Sequence, residues 1–396
     1  MTTLLPAVPA IGAVVYPPDR QPETLLTGFA AELKGRGFRL GGLVGSTAME
    51  VVELDTGRHH ALGQSLGSGS QACTLDLSAM AEASQALRRG IAARVDLLLV
   101  NKFSKTEKTG KGFAPEMLAA MSEGVPLLTA VPGAYVEDWI AFTGARGDLL
   151  MPAETALWRW WGARHLYDDL ALGVADGPVR RVVIGLNWTL VEGPHGVGLA
   201  MTPEKGTQGC RSLPEAGAMA GRSLAELAAL TRSWDPYELA VGIAACNAHY
   251  NRFDLAAEDT NGLDALPDPG RTVVIGAFPG LAERLPGAAI IERTPEPGQY
   301  PEEAAEWLLP AAESVVVTSS ALANRSLPRL LTLARTARLV LVGPGAPLTP
   351  RLFPYGVSVS AGLVATDPDG LARAVAEGGG PRDIKRYCRQ AAIRRD

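Results

Sequence analysis

Short apolar runs rich in β-branched residues alternate with longer amphipathic stretches along the chain. The first third opens with the run at residues 11–16, which is typical of a buried strand, and continues with a predicted helix at 22–35. A second helix is predicted at 78–91, and apolar strands end at Asn101 and near residue 131. This alternation predicts α/β layers built on largely parallel sheets, in preference to an all-helical or all-β fold.

The middle of the chain has a different pattern of predicted elements. Residues 151–167, which contain Trp158, Trp160 and Trp161, predict a connecting helix whose aromatic side chains pack between domains or against a partner. Residues 180–202 then predict a β-hairpin turning at 193–196. Two helices follow, at 223–231 and 235–250, and the second has Asp235 as its N-cap and Pro236 at its first helical position.

The last third carries five short β-branched runs separated by turns or helices, as a Rossmann-like sheet requires. The prediction is therefore an α/β protein with three domains. They are a P-loop-NTPase-like parallel sheet at 1–150, an α+β domain at 168–262 after the connecting segment 151–167, and a Rossmann-like domain at 263–396.

Composition narrows the classes of function. The chain has 396 residues, with 37 basic and 42 acidic side chains and a net charge of −5, so it lacks the basic surplus of a nucleic-acid binder. We expect no nucleic-acid partner. No apolar run approaches the ~20 residues that a membrane span needs, and the four cysteines are too far apart to form a metal knuckle. These features predict a cytoplasmic protein without a membrane anchor.

The first domain lacks the machinery for nucleotide hydrolysis. Its first strand runs into Tyr16, Pro17 and Pro18, and the prolines have no N–H with which to hold a phosphate. No Lys–Ser/Thr pair follows, and the later apolar strand ends in Asn101 and Lys102 where a metal-binding acid is expected. Hydrolysis of nucleoside triphosphates is therefore not expected.

Polar loops of this domain still offer an oxyanion site. Ser104 and Lys105 follow the apolar strand in a basic, hydroxyl-rich loop. Ser70 and Cys73 lie in a Gly/Ser run whose successive N–H groups can form an anion-binding nest. The alternative for the first pair is a solvated loop, and for the second a flexible turn.

Three segments of the first domain carry a family resemblance: Gly41–Gly45, Glu53–Gly57 and the loop from Asn101 to Glu107. Residues 10–150 resemble a family of small P-loop nucleoside triphosphatases, and more closely a bacterial domain family of unknown function that looks like a degenerate branch of it. The resemblance implies the fold, without the phosphate loop.

Residues 165–380 resemble a heavy-metal-chelation family over a long, ordered set of motifs. They include Ile184–Thr189, Gly196–Ala200, Ala216–Gly221, Asn247–Asn251, Gly276–Pro279, Glu292–Pro295, Gly343–Leu348 and Glu377–Gly379. The resemblance implies an enolase-N-terminal-like domain, then a Rossmann-like domain akin to an atypical methyltransferase, with a ligand site between them.

The residues at the strand ends of the last third of the chain also predict a ligand site. Glu292 closes a strand near the turn at Gly276, where nucleotide folds hold ribose hydroxyls, but the turn is not G-x-G-x-x-G. Strand ends of open α/β sheets converge on ligand sites. The predicted ligand-binding residues are Asn187, Thr189, Asn247, Asn251, Glu292, Thr318, Ser319, Asn324, Gly343 and Pro344.

Metal chemistry has fewer candidates. Cys210, in a Gly-rich loop, is the predicted metal ligand, whereas Cys246 and His249 are better explained as core residues of an apolar helix. The favoured hypothesis is a protein that binds a metal or an oxyanion such as molybdate. The alternative is a transferase using S-adenosylmethionine or a nucleotide, and a third hypothesis is a scaffold or homo-oligomer that associates through Trp158–Trp161.

Overall fold

The computed structural model describes residues 10–47, 49–63, 76–204, 212–263, 271–278, 280–335 and 337–395. The chain divides into two compact units: unit 1 is Met1–Trp161 and unit 2 is Gly162–Asp396. Across these described ranges, no helix combines the length and the apolar character needed to cross a membrane.

Unit 1 is an α/β sheet whose described strands lie in the order β4-β3-β2-β5-β6-β1-β7. The pairs β2–β5, β5–β6, β6–β1 and β1–β7 are parallel, and β2–β3 and β3–β4 are antiparallel. Its elements are β1 (Ile11–Tyr16), α1 (Glu23–Gly35), β2 (Leu40–Thr47), β3 (Glu50–Glu53), β4 (His59–Ala61), α2 (Leu77–Ala92), β5 (Leu97–Val100), α3 (Ala114–Glu123), β6 (Leu127–Pro132), α4 (Val136–Thr143), β7 (Asp148–Leu150) and α5 (Glu154–Trp161).

The core of unit 1 follows from its apolar strands. Every residue of β5 is buried, as expected for a central parallel strand that has both faces covered. α2 begins where the Asp76 carboxylate accepts hydrogen bonds from the N–H groups of Ser78 and Ala79, which are two of the otherwise unpaired donors of the first turn. The α/β class predicted for this region is confirmed.

The predicted connecting helix at 151–167 is wrong. Helix α5 ends at Trp161, and Gly162 follows with φ 80°, a backbone conformation that stops a helix. Trp158 and Trp161 are buried within unit 1, where their rings meet Phe29 and Phe38 edge to face at 5.5 and 5.1 Å. These two indoles belong to the core of unit 1, so they do not form an exposed contact surface.

Unit 2 contains two sheets among its described residues, in the orders β10-β9-β8 and β13-β12-β11-β14-β15-β16-β17. Its elements are α6 (Leu166–Leu172), β8 (Arg181–Ile184), β9 (Trp188–Glu192), β10 (Val197–Met201), α7 (Leu224–Ala228), α8 (Pro236–Tyr250), β11 (Thr272–Ile275), α9 (Leu281–Arg284), β12 (Ala289–Glu292), β13 (Tyr300–Pro301), α10 (Ala305–Leu308), β14 (Ser314–Thr318), α11 (Ser320–Ala323), α12 (Leu327–Leu333), β15 (Arg338–Val342), β16 (Val357–Ala365), α13 (Pro368–Ala376), α14 (Pro381–Lys385) and β17 (Cys388–Arg394).

The predicted two-stranded hairpin is a three-stranded antiparallel sheet, because the run at 180–192 breaks at Gly185. A side chain at Gly185 would meet the carbonyl oxygen of Val375, so the chain needs glycine at this close approach. Helix α8 packs on β10, and its N-cap Asp235 accepts from the N–H groups of Tyr237 and Glu238, as predicted.

The five predicted strands of the last third are β11, β12, β14, β15 and β16, paired in parallel. Two further strands were not predicted. β13 has only two residues at one edge, and β17 pairs antiparallel with β16 at the other edge. The five parallel strands therefore have their carboxyl ends on the same side of the sheet, and open α/β sheets bind ligands at these strand ends.

Candidate functional site

A cavity of about 690 Å³ lies at the carboxyl ends of β11, β12, β14 and β15 in unit 2. Trp188 of β9, Met201 of β10 and Glu204 contribute from the smaller sheet of the same unit, and Arg382 and Lys385 contribute from α14. Pockets of roughly 300–1,000 Å³ are typical for small organic ligands. This cavity is therefore the candidate ligand site.

Six of the residues predicted from sequence line this cavity together, and all six belong to the seven-stranded sheet of unit 2 or to the segments that follow its strands. Five of them come together because each lies at or just after the end of a parallel strand, and Asn324 follows the short helix α11 that comes after β14. The six are Glu292, Thr318, Ser319, Asn324, Gly343 and Pro344.

Two glycines let the main chain approach hydroxyl groups that line the cavity. Gly276 has φ 89°, and a Cβ there would lie 2.5 Å from Thr318 Oγ1. Gly343 has φ 136°, and a Cβ there would lie 2.5 Å from Ser319 Oγ. Both positions need glycine for their conformation and for space, so the turns after β11 and β15 are shaped by the hydroxyls of β14.

The hydroxyl groups are ordered by hydrogen bonds. Thr318 Oγ1 and Ser320 Oγ are 2.6 Å apart, and Ser319 Oγ accepts from the Gly345 N–H at 3.1 Å. Asn324 Oδ1 accepts from the N–H and hydroxyl of Ser326, at 3.0 and 2.7 Å. These contacts hold the polar side chains in place, so a ligand meets donors that are already oriented.

Glu292 caps the neighbouring turn. Its Oε1 accepts from the Ala277 N–H at 2.5 Å, and its Oε2 accepts from the Arg293 N–H at 3.0 Å. The carboxylate thus satisfies the backbone after β11 and β12. A ligand hydroxyl that used this acid would share it with those two N–H groups.

Four exposed cationic side chains that were not predicted as site residues also line the cavity: Arg284, Arg293, Arg382 and Lys385. None of the four forms an ion pair with any residue that the structure describes, although Glu204 and Glu302 also line the cavity. Arg271 of the same unit, by contrast, pairs with Glu313 at 3.0 Å. Of the four, Arg293 could have been predicted from the sequence, because it directly follows Glu292 at the end of a predicted strand.

Asn247 of α8 and Asn251, which directly follows this helix, do not line the cavity but hold the loop that does. Asn247 Nδ2 donates to the carbonyls of Leu199 and Gly345 at 2.7 and 2.9 Å. Asn251 Nδ2 donates to those of Ala346 and Leu363 at 3.0 and 3.2 Å, and its Oδ1 accepts from the Leu348 N–H at 2.9 Å. Both amides are buried. They fix the chain that follows Gly343 and Pro344.

Asn187 and Thr189 also lie outside the cavity lining. Asn187 Nδ2 donates to the carbonyls of Gly378 and Gly379 at 2.8 and 3.3 Å, and Thr189 Oγ1 lies 3.0 Å from Thr202 Oγ1. The structure therefore gives these two predicted ligand residues backbone and cross-strand partners, because they face neighbouring protein segments.

Arg325 fixes one rim of the cavity, between Asn324 and Ser326. It has φ 61°, an uncommon conformation for a residue with a side chain. Its guanidinium lies over the rings of Tyr167 and Trp234, at 4.8 and 4.6 Å from their centroids. It also donates to the carbonyls of Thr231 and Ser233, both at 2.6 Å. These contacts offset the cost of the strained turn.

In unit 1, the predicted oxyanion loop holds a carboxylate of its own. Glu107 is buried, and its Oε2 accepts from the N–H and the hydroxyl of Ser104 at 3.1 and 3.2 Å. Its Oε1 accepts from the Phe113 N–H at 3.5 Å. Lys105 is exposed. An external oxyanion would have to displace Glu107 from Ser104.

The remaining candidates concern sulfur. Cys210, like Ser70 and Cys73, lies outside the described residues. Burial raises the pKa of the Cys246 thiol to about 12, so it stays protonated and packs as a core residue. Within the described part of the chain, no three or more His, Cys, Asp and Glu side chains cluster so as to hold a metal ion.

Comparisons with known proteins divide the chain in the same way. Residues 11–160 match a family described as "Protein of unknown function (DUF2478)". Over 160 residues at the N-terminal end, the chain is 41% identical to the molybdenum import ATP-binding protein ModC 2 of Bradyrhizobium diazoefficiens. The match covers 38% of this chain and 18% of the length of that curated relative.

Unit 2 matches two families described as "Putative heavy-metal chelation", over residues 167–250 and 263–394. A DUF364-family protein of unknown function from Pyrococcus horikoshii shares the fold, at 21% identity and a TM-score of 0.51 over 58% of this chain and 98% of its own. A crystal structure from Desulfitobacterium hafniense is 30% identical, with a TM-score of 0.52, over 58% of this chain and 97% of its own. Through unit 2, the chain therefore belongs to the DUF364 family, whose family models are described as heavy-metal chelation.

Proposed function

We propose that this protein binds a metal in anionic, oxygen-coordinated form, with molybdate as the leading candidate, in the cavity of unit 2. The observation that carries the proposal is the set of four cationic side chains that line the same cavity as the hydroxyl groups of Thr318, Ser319 and Ser320. Charged groups and oriented hydroxyls bind oxyanions through charge-assisted hydrogen bonds. The described lining residues are thus better suited to an oxyanion than to a bare soft cation, which prefers thiolate and imidazole ligands.

The family description and the N-terminal similarity support the same proposal from outside the cavity. Unit 2 belongs to a family described as heavy-metal chelation. Unit 1 resembles part of a protein named for molybdenum import. A protein that handles molybdate would account for both similarities in one chain.

Calorimetry with sodium molybdate tests the proposal. We expect saturable binding, and we expect the double variant Arg284→Ala/Arg293→Ala to weaken it at least tenfold, because one lost charge-assisted hydrogen bond costs about 1.5 kcal/mol. Arg271→Ala is the matched control, since Arg271 is paired with Glu313 and does not line the cavity. Metal analysis of the purified protein provides a second readout. If molybdate gives no binding heat, or the double variant binds like Arg271→Ala, the proposal is wrong.

A second candidate is a transferase that uses S-adenosylmethionine or a nucleotide. It is favoured by the left-handed turn at Gly276 after β11 and by Glu292 at the end of the adjacent strand β12, both of which line the cavity. Nucleotide folds use such an acid to hold ribose hydroxyls. Calorimetry with S-adenosylmethionine and ATP tests it, with Glu292→Gln expected to weaken binding about tenfold. If molybdate binds saturably and neither S-adenosylmethionine nor ATP binds, this candidate is ruled out.

A further inference from the structure

The cavity of unit 2 is much larger than an oxyanion. A molecule of liquid water occupies about 30 Å³, so a tetrahedral ion with four oxygens needs about 120 Å³. The cavity measures about 690 Å³. A bare oxyanion would therefore leave most of the space to be filled by something else.

Many of the other residues that line the cavity are apolar. Leu263, Ile275, Ile291 and Leu330 line it, as does the half-buried Phe278. Leu263 and Phe278 belong to one continuous apolar cluster that extends into the core of the sheet. Covering such a surface with an organic group gains free energy in proportion to the apolar area removed from water.

Polar and apolar side chains both line the cavity. The hydroxyls of Thr318, Ser319 and Ser320 lie at and just after the end of β14, and the four cationic side chains are exposed. The apolar wall includes aromatic rings from Phe278 and, on the β9 side, from Trp188. A ligand that matches all three parts is anionic, presents oxygen atoms and has a flat apolar body.

We infer that the metal enters this cavity already bound to an aromatic organic chelator with oxygen donors, as an anionic complex. This inference rests on the proposed function, and it names the class of ligand for the same site. The protein performs no covalent step in binding. The complex forms beforehand in solution, where catechol hydroxyls condense with molybdate and release water, without any change of oxidation state.

Calorimetry on the full chain with three probes tests the inference: molybdate alone, catechol alone, and a preformed molybdate–catechol complex. We expect the complex to bind at least tenfold more tightly than either component, because it alone fills both the polar and the apolar part of the cavity. Phe278→Ala should remove that advantage, so that the complex binds no more tightly than bare molybdate does. Phe253→Ala, an exposed phenylalanine that does not line the cavity, is the matched control.

The outcomes separate this inference from the proposed function. Equal affinity for bare molybdate and for the complex overturns the inference and leaves the proposed function standing. Catechol binding as tightly as the complex also overturns it, because the metal would then add nothing. If neither form of molybdate binds, the proposed function itself fails. Should Phe278→Ala lower thermal stability, Phe278→Leu keeps the apolar packing and should still reduce the advantage of the complex severalfold.

Discussion

Two loops at the carboxyl ends of parallel strands, one in each unit, use similar polar residues in opposite ways. In unit 1, Ser104 follows β5, and its N–H and hydroxyl both donate to the buried carboxylate of Glu107. In unit 2, Thr318 is the last residue of β14 and Ser319 follows it. Both line a cavity that is also lined by exposed cationic side chains. The first loop is satisfied by an anion from its own chain. In the second, Thr318 Oγ1 pairs with Ser320 Oγ and Ser319 Oγ accepts from the Gly345 N–H, and within the described residues no carboxylate is hydrogen-bonded to either hydroxyl.

The difference shows that the position of a polar residue at a strand end does not decide whether it binds a ligand. What decides is whether the chain itself supplies the partner. Buried polar groups must be hydrogen-bonded, and a nearby carboxylate satisfies them as well as a bound oxyanion does. The same reasoning applies to Asn247 Nδ2 and to both polar atoms of the Asn251 amide, which bond to backbone groups of the loop at 343–348.

The largest expected effect comes from removing one of these tethers. Asn251→Ala leaves the carbonyls of Ala346 and Leu363 and the N–H of Leu348 without their buried partner. We expect the free energy of unfolding of unit 2 to fall by about 3 kcal/mol, because unsatisfied buried groups cost about 1–3 kcal/mol each and relaxation recovers part of this. Thermal unfolding followed by circular dichroism measures the change, and cavity binding should weaken as the loop loosens.

Asn324→Ala tests a residue that lines the cavity, in contrast to Asn251, which tethers a loop. Asn324 is exposed and lines the cavity, so its loss should change stability by less than about 1 kcal/mol and still weaken ligand binding. If the two variants lost stability equally, the distinction between tethers and ligand-facing groups in unit 2 would not hold.

Glu107→Ala should convert the loop of unit 1 into an open anion site. The variant leaves the N–H and hydroxyl of Ser104 and the N–H of Phe113 unpaired, and we expect a loss of about 2 kcal/mol in the stability of unit 1. Acetate should restore part of this stability by taking the place of the missing carboxylate. Melting temperatures with sodium acetate and with sodium chloride at equal ionic strength measure the rescue.

Glu137→Ala, which removes an exposed carboxylate of helix α4, is the control for that experiment. It should neither destabilise unit 1 by more than about 0.5 kcal/mol nor respond to acetate. An acetate effect of the same size on the control would mean that the loop has no specific anion site.

Much of the fold could be predicted because apolar runs and helix caps act locally. β1 and the five parallel strands of unit 2 stand out as β-branched runs, and Asp235 marks the start of α8 by its capping chemistry. The edge strand β17 and the break at Gly185 were missed because they depend on neighbours that are distant in sequence. Periodicity carries no information about those contacts.

The site could be predicted only in part, for a related reason. Strand-end hydroxyls, Glu292 and Gly343 are visible as a pattern, and they do come together. Whether Asn251 faces a ligand or a carbonyl depends on which loop packs on α8, and the sequence gives no sign of this. The pairing of Ser104 with Glu107 was detectable in part, because at S-x-x-E spacing the glutamate carboxylate can accept from the backbone N–H of the serine, as it does here.

A smaller effect is expected at the rim of the cavity. Arg325→Lys keeps the charge but loses the planar group that stacks between Tyr167 and Trp234, so unit 2 should lose about 1 kcal/mol, or about 2–4 °C in melting temperature. Arg329→Lys changes an exposed ion pair with Glu306 and should have no measurable effect. Equal melting temperatures for the two variants would show that the stacked guanidinium does not hold the turn.

The smallest effect concerns acid sensitivity, and it depends on a buried carboxylate of unit 1 that is satisfied internally, as Glu107 is. Burial of Glu53 acts to raise its pKa, but hydrogen bonds from Thr56, His60 and Arg89 outweigh it, and the pKa lies below the ordinary value of 4.5. The folded protein therefore keeps this group charged to lower pH than the unfolded chain does. Its contribution to stability is complete above pH 4.5 and is lost as the pH falls through the lowered pKa. Urea unfolding of Glu53→Gln between pH 7 and pH 3 should show a flatter pH dependence than the wild-type protein, whereas Glu50→Gln, at a more exposed carboxylate, should change the slope less because solvent screens that charge.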